Sequence, residues 1–261
     1  MIAISSIQLD AWLAAFMFPM ARILALLATA PIFNSASIPT RLRLITGLAI
    51  SLALIPALPP MPAVPSGSWI SLVILGQQIV IGVLMGLTLR IVFSAIDLAG
   101  ELIGMQMSLG FATAYDPQTA GQTPVIAEFL GLVATLAFLA VNGHLMVLAA
   151  LAESFSILPV SATPFHLEGI KALLSWSAAL FSVGLMLALP IVAALLIANI
   201  SLGVLTKVAP QMNLFSIGFV ITIGIGFVML HLTLPNFVAA TIRLFDQSFS
   251  NLQYVLKALA G

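Results

Sequence analysis

The chain has 261 residues, of which 62% are hydrophobic and only 6% charged, with a mean hydropathy of +1.23. A soluble domain covers its surface with roughly 25% charged residues, so the solvent of this chain is largely lipid or other apolar protein. Eight basic residues balance eight acidic ones and cysteine is absent. That excludes an overall basic field for nucleic acid or anionic lipid, a disulfide framework and any thiolate metal site.

No Lys or Arg precedes Arg22, so the start lacks the basic region of a secretory signal peptide and insertion as it stands is expected. A membrane helix needs about 20 mostly apolar residues, or about 30 Å of rise. The first candidate runs roughly from Asp10 to Phe33 and contains Pro19 and Arg22. Arg41 and Arg43 follow, then a short candidate from Leu42 to about Leu58. The proline-rich stretch Pro56 to Pro65 reads as a connection. An apolar pattern continues from Trp69 to Leu109, turn residues dominate Gly110 to Pro124, and Val125 to about Leu151 is the next expected helix. Pro159 and Pro164 mark a second connection. Uncharged runs then separate Lys171 from Lys207, with Pro190 inside, and Lys207 from Arg243. The tail from Arg243 to Gly261 reads as a short amphipathic helix.

Six helices is the plain count, and two segments resist it. Trp69 to Leu109 as one helix would be about 60 Å long, and Lys171 to Lys207 about 50 Å, against a hydrocarbon core of about 30 Å. They must break, tilt steeply, or continue outside the bilayer against partner protein. With six spans, Lys171, Arg243 and Lys257 fall on one side and Arg41, Arg43 and Lys207 on the other, so the positive-inside bias ties.

The third helix carries a polar stripe. At about 100° per residue, Arg90, Ser94, Asp97, Glu101 and Ser108 share one face, and Gly82, Gly86, Gly100 and Gly104 adjoin it. Small-xxx-small spacing lets backbones approach closely, and intramembrane charges require a partner or a task. A structural ion network of Arg90, Asp97 and Glu101, with Arg22, Glu128 and Asp246 as other possible partners, fits the pattern. So does the wall of a conduit, or a proton-sensitive carboxylate pair.

The segment Gly110 to Pro124 holds two aromatics and three alanines among turn formers, with Asp116 its one charge. Asp116-Pro117 favours a turn, and Gly110 and Gly121 supply hinges. Irregular backbone near membrane depth needs burial by protein or a cavity to line. A surface connection with buried anchors and a plug or constriction both fit, with Met105, Gln106 and Met107 beside it and methionine suited to repacking. No catalytic or cofactor pattern emerges. His144, His166 and His231 lie in separate segments without metal-ligand spacing, and neither a nucleophile elbow nor a P-loop occurs.

Four stretches taken in order resemble the FliR family, flagellar members of the type III protein-export gate. They are Arg22 through Ala30-Pro31-Ile32-Phe33 to Pro39-Thr40-Arg41-Leu42-Arg43; Gly100-Glu101-Leu102-Ile103-Gly104-Met105-Gln106-Met107 through Gly110-Phe111-Ala112, Asp116-Pro117 and Pro124-Val125; Asn142-Gly143-His144-Leu145; and Lys207-Val208-Ala209-Pro210-Gln211-Met212-Asn213 with Phe215-Ser216-Ile217-Gly218-Phe219.

The resemblance implies a non-enzymatic, all-α membrane protein without a cofactor. Its long kinked helices would form hairpins of non-classical topology, a single unit over 1–261 in which a FliP-like part (about 1–170) is fused to a FliQ-like hairpin and tail (171–261). It implies assembly with copies of FliP and FliQ in the bacterial inner membrane at the flagellar basal body, much of it on the periplasmic side. FlhB and FlhA are further implied partners, and unfolded flagellar subunits the cargo. The implied plug falls on Gly110 to Gly121, with Phe111 and Tyr115 occluding and Thr113, Asp116 and Pro117 shaping the loop. A homologous virulence-type gate subunit is the near alternative. From the residues alone, a secondary transporter using Arg90, Asp97 and Glu101 and an intramembrane hydrolase are the others.

Overall fold

The computed structural model describes residues 6–35, 38–62, 64–65, 67–109, 124–208 and 214–261. Among these residues the regular structure is helical: α1 (Ser6–Thr29), α2 (Thr40–Leu54), α3 (Trp69–Gln106), α4 (Val125–Ala140), α5 (Gly143–Ile157), α6 (Glu168–Val208) and α7 (Leu214–Ala260), with 3-10 turns at Ile32–Asn34 and Ile55–Ala57.

The long apolar segments do not break. α3, α6 and α7 contain 38, 41 and 47 residues, so at 1.5 Å per residue they are about 57, 62 and 71 Å long, roughly twice the hydrocarbon core. Pro190 stays inside α6 and Pro235 inside α7, each removing one backbone donor. By length and apolarity α1, α2 with its following turn, α3, α6 and α7 can each cross a membrane, and α4 with α5 would make a sixth span.

Two boundaries differ from expectation. The helix expected from Val125 to Leu151 is two helices, because Asn142 adopts φ 58°, the left-handed conformation that asparagine tolerates, and starts α5 anew. The expected short tail helix is the continuation of α7. After Pro235 the chain offers no glycine or proline to end the helix before Gly261, and Lys257 in its last turn suits the helix dipole.

Local signals explain other ends. Ser68 caps α3, its Oγ accepting from the Ser71 amide at 3.2 Å. Glu168 opens α6 and Lys207 closes it, both favourable to the dipole. After α1, Ile32 sits at φ 48°, unusual for a β-branched residue. The adjoining turn is tied to α2, whose Arg43 donates Nε to the Phe33 carbonyl at 3.1 Å.

The chain divides into two compact units. One comprises residues 1–91, 142–177 and 245–261, and the other 92–141 and 178–244. In the first, Phe18, Ile23, Leu26, Ile74, Met85, Leu151, Phe155 and Leu256 form the buried core. α1 lies tightly on α3 there: a Cβ on Gly82 would collide with the Arg22 carbonyl and lie 2.8 Å from the Ala25 Cβ, and one on Gly86 would collide with Thr29. The Thr88 carbonyl of α3 also accepts from Trp176 Nε1 of α6 at 3.1 Å and from Ser248 Oγ of α7 at 3.3 Å. In the second unit Ile96, Ile103 and Met107 of α3 are buried together with Ala127, Leu130 and Ala134 of α4. Phe93 and Phe138 meet edge-to-face there, with centroids 5.9 Å apart.

Candidate functional site

In the first unit the polar centre is Arg22. It stands in the apolar middle of α1 and is fully buried. A guanidinium out of water must have all its donors occupied, and five hydrogen bonds do so. Nε and Nη2 donate to Gln78 Oε1 of α3 at 2.9 and 2.6 Å. Nη1 donates to the carbonyl and Oγ of Ser154 on α5 at 2.9 and 3.0 Å, and Nη2 to the Leu158 carbonyl at 2.9 Å. The guanidinium carbon lies 4.1 Å from the centre of the Phe155 ring, a cation–π contact. Every one of these acceptors is neutral. One side chain of α1 therefore holds α3 and the end of α5 at once, and it does not pair with the charged stripe of α3.

In the second unit the feature is the frame of the expected plug. Gly110, Phe111, Thr113, Tyr115, Asp116, Pro117 and Gly121 lie outside the described residues, but both their anchors are described. α3 ends in a Schellman motif: the Leu109 amide donates to the Gly104 carbonyl at 3.1 Å and the Ser108 amide to the Met105 carbonyl at 3.0 Å. Ser108 occupies the left-handed position at φ 64° that glycine usually fills. On the far side, α4 begins after Pro124, with Glu128 in its first turn. The two ends are packed together, since a Cβ on Gly100 would collide with the Ala127 backbone, while one on Gly104 would have room, 3.8 Å from Ile126. The helices that flank residues 110–123 in the sequence are thus an antiparallel pair in direct contact.

The other residues singled out by sequence are placed as follows. Met107 is fully buried, and Gly226 of α7 abuts it so closely that a Cβ there would lie 2.6 Å from its Cγ. Met105 is 61% exposed and Gln106 half-buried. Arg90, Asp97 and Glu101 are exposed on α3.

The chain matches the family described as Bacterial export proteins, family 1, over residues 13–248. It is 42% identical over 261 residues to the flagellar biosynthetic protein FliR of Pectobacterium carotovorum subsp. carotovorum, covering all of both chains. The chain belongs to the FliR family. The FliR of Escherichia coli (strain K12) is 37% identical over 99% of both chains, and that of Bacillus subtilis (strain 168) is 29% identical over 95% of this chain and 96% of its own.

In this FliR-family chain the partners of Arg22 escaped sequence reasoning. A lone arginine in an apolar helix demanded acceptors, but nothing in the spacing singled out Gln78 or Ser154. The Thr88 carbonyl clamp escaped too, because a backbone acceptor leaves no mark in sequence. Its donors, Trp176 and Ser248, read as ordinary helix residues.

Proposed function

We propose that this chain is a structural and gating subunit of the flagellar type III protein-export channel in the bacterial inner membrane, passing unfolded flagellar subunits, with residues 110–121 as its plug. The observation that carries this reading is similarity along the whole chain to a protein named for flagellar biosynthesis, 42% over 261 residues. The role is one of architecture and gating, without catalysis.

Helices about twice as long as the hydrocarbon core is thick, with apolar faces left exposed, suit burial against sister chains. In this reading those are copies of FliP and FliQ, with FlhB and FlhA beyond them. Residues 1–170 are the FliP-like part and 171–261 the FliQ-like hairpin, and much of the assembled chain lies on the periplasmic side. Arg90, Asp97 and Glu101 then face neighbouring chains or the conduit, which supplies the burial or hydration their charges need. The close pairing of α3 with α4 gives the plug a packed base.

Two measurements test the reading. Deleting residues 111–120 is expected to make membranes carrying the assembled channel leak ions and small molecules. Membranes as tight as those with the intact chain would remove the plug role. Affinity purification from a native membrane is expected to recover unlike partner chains. Recovery of a stable homo-oligomer that moves a solute unaided would favour a secondary transporter instead.

A further inference from the structure

A cavity of about 300 Å³ opens beside the buried arginine. Its wall includes Gln78 and Leu158, two of the three residues that hold the guanidinium by hydrogen bonds, together with Gln77, Ser161, Thr163 and His166. We propose that this cavity is an anion site that takes a phosphate group, carried by an anionic phospholipid or free in solution.

Three observations lead there. First, Arg22 brings a full positive charge into the core of this unit with neutral acceptors only, and a buried cation so held is left without a counter-charge. Second, Gln78 relays that charge. Its carbonyl oxygen is taken twice by Arg22, so its other polar atom is an amide donor, and a donor whose carbonyl is already polarised by a cation binds an anion more strongly. Third, the wall is rich in donors and has no carboxylate among the residues lining it. Ser161 and Thr163 share a 2.6 Å hydrogen bond at the rim, where either hydroxyl can turn to an anion. Glu168, two residues from His166, is held by Lys171 at 2.6 Å. The site lies where the turn after α5 meets the end of α7, His166 donating its amide to the Leu259 carbonyl at 2.9 Å. The balanced net charge excludes a broad basic field, and this site is local.

The test uses the full-length chain purified in a non-ionic detergent with the chains that accompany it. Its Tm is followed against inorganic phosphate, against chloride at matched ionic strength, and against phosphatidylglycerol or phosphatidylcholine in mixed micelles. A ligand bound by the native state alone raises Tm saturably. A rise with phosphate but not chloride assigns the site to a free anion. A rise with phosphatidylglycerol but not phosphatidylcholine assigns it to a lipid headgroup. In either case Ser161→Ala/Thr163→Ala/His166→Ala is expected to raise the half-saturating concentration at least fivefold. Gln77→Leu alone gives a smaller loss in the same direction, should the triple variant fold poorly. No selective rise, equal rises with both lipids, or the same half-saturation in both variants as in the unaltered chain would overturn the proposal.

Discussion

Replacing Gln78 by leucine removes two of the five hydrogen bonds of Arg22, those at 2.6 and 2.9 Å, and leaves the charge where it is. Hydrogen bonds to a charged group contribute about 1.5–3 kcal/mol each, and stripping one partner from a buried charge costs about 3–5 kcal/mol. The two routes agree on a loss of about 3–5 kcal/mol. At about 2–4 °C per kcal/mol for a chain of this size, Tm should fall by roughly 6–20 °C. The readout is the amount of monodisperse protein surviving a heating series in detergent, measured by size-exclusion chromatography. The decisive variant is the double one. Arg22→Leu/Gln78→Leu removes the charge as well as its acceptor. The acceptors it leaves behind are the Leu158 carbonyl, the Ser154 carbonyl, which still accepts from the Leu158 amide at 2.9 Å, and the Ser154 side chain, which still donates to Leu151 at 2.7 Å. The double variant should therefore be more stable than Gln78→Leu alone. A Gln78→Leu variant within about 2 °C of the unaltered chain, or a double variant whose loss equals the sum of the two single losses, would refute the reasoning.

Two further predictions concern the frame of residues 110–123. Gly100→Ala should lower Tm clearly, since its methyl meets the Ala127 backbone, while Gly104→Ala should lie within about 0.5 kcal/mol of the unaltered chain or gain slightly in helix propensity; equal losses at the two positions would contradict that packing. Ser108→Gly should stabilise the end of α3 by about 0.5–1 kcal/mol, because glycine takes φ 64° without the side-chain clash, and slower amide exchange at Leu109 is the measurement that checks it.

Much of the fold was legible because composition and helix breakers are local properties. The over-long α3 and α6 followed from counting apolar residues between turn formers. Asn142 misled because hydrophobicity continues on both sides of it, and only its backbone conformation breaks the helix. Arg243 misled in the other direction, since a charge in the sequence suggested a boundary where nothing in the chain stops helical geometry. The Arg22 centre was half legible. An arginine in an apolar helix announces a need, but its acceptors are 56, 132 and 136 positions away, and two of them are main-chain carbonyls. The polar stripe was legible as a stripe, but angular position on a helix says which residues share a face and not what covers it.

The exposed faces of α6 and α7 have a consequence for how substitutions in this chain can be read. Of the most apolar window of α6 only 22% is buried within the chain, and of α7 17%, against 61% for α3. Leu185, Leu189, Leu196 and Ile200 of α6 therefore answer to their surroundings rather than to the chain's own fold. A mutational scan scored by the stability of the isolated chain would register α1 and α3 and pass over these positions in silence. The same scan scored in the membrane would bring them forward, and the difference between the two maps would trace, residue by residue, the surface along which this chain meets its neighbours.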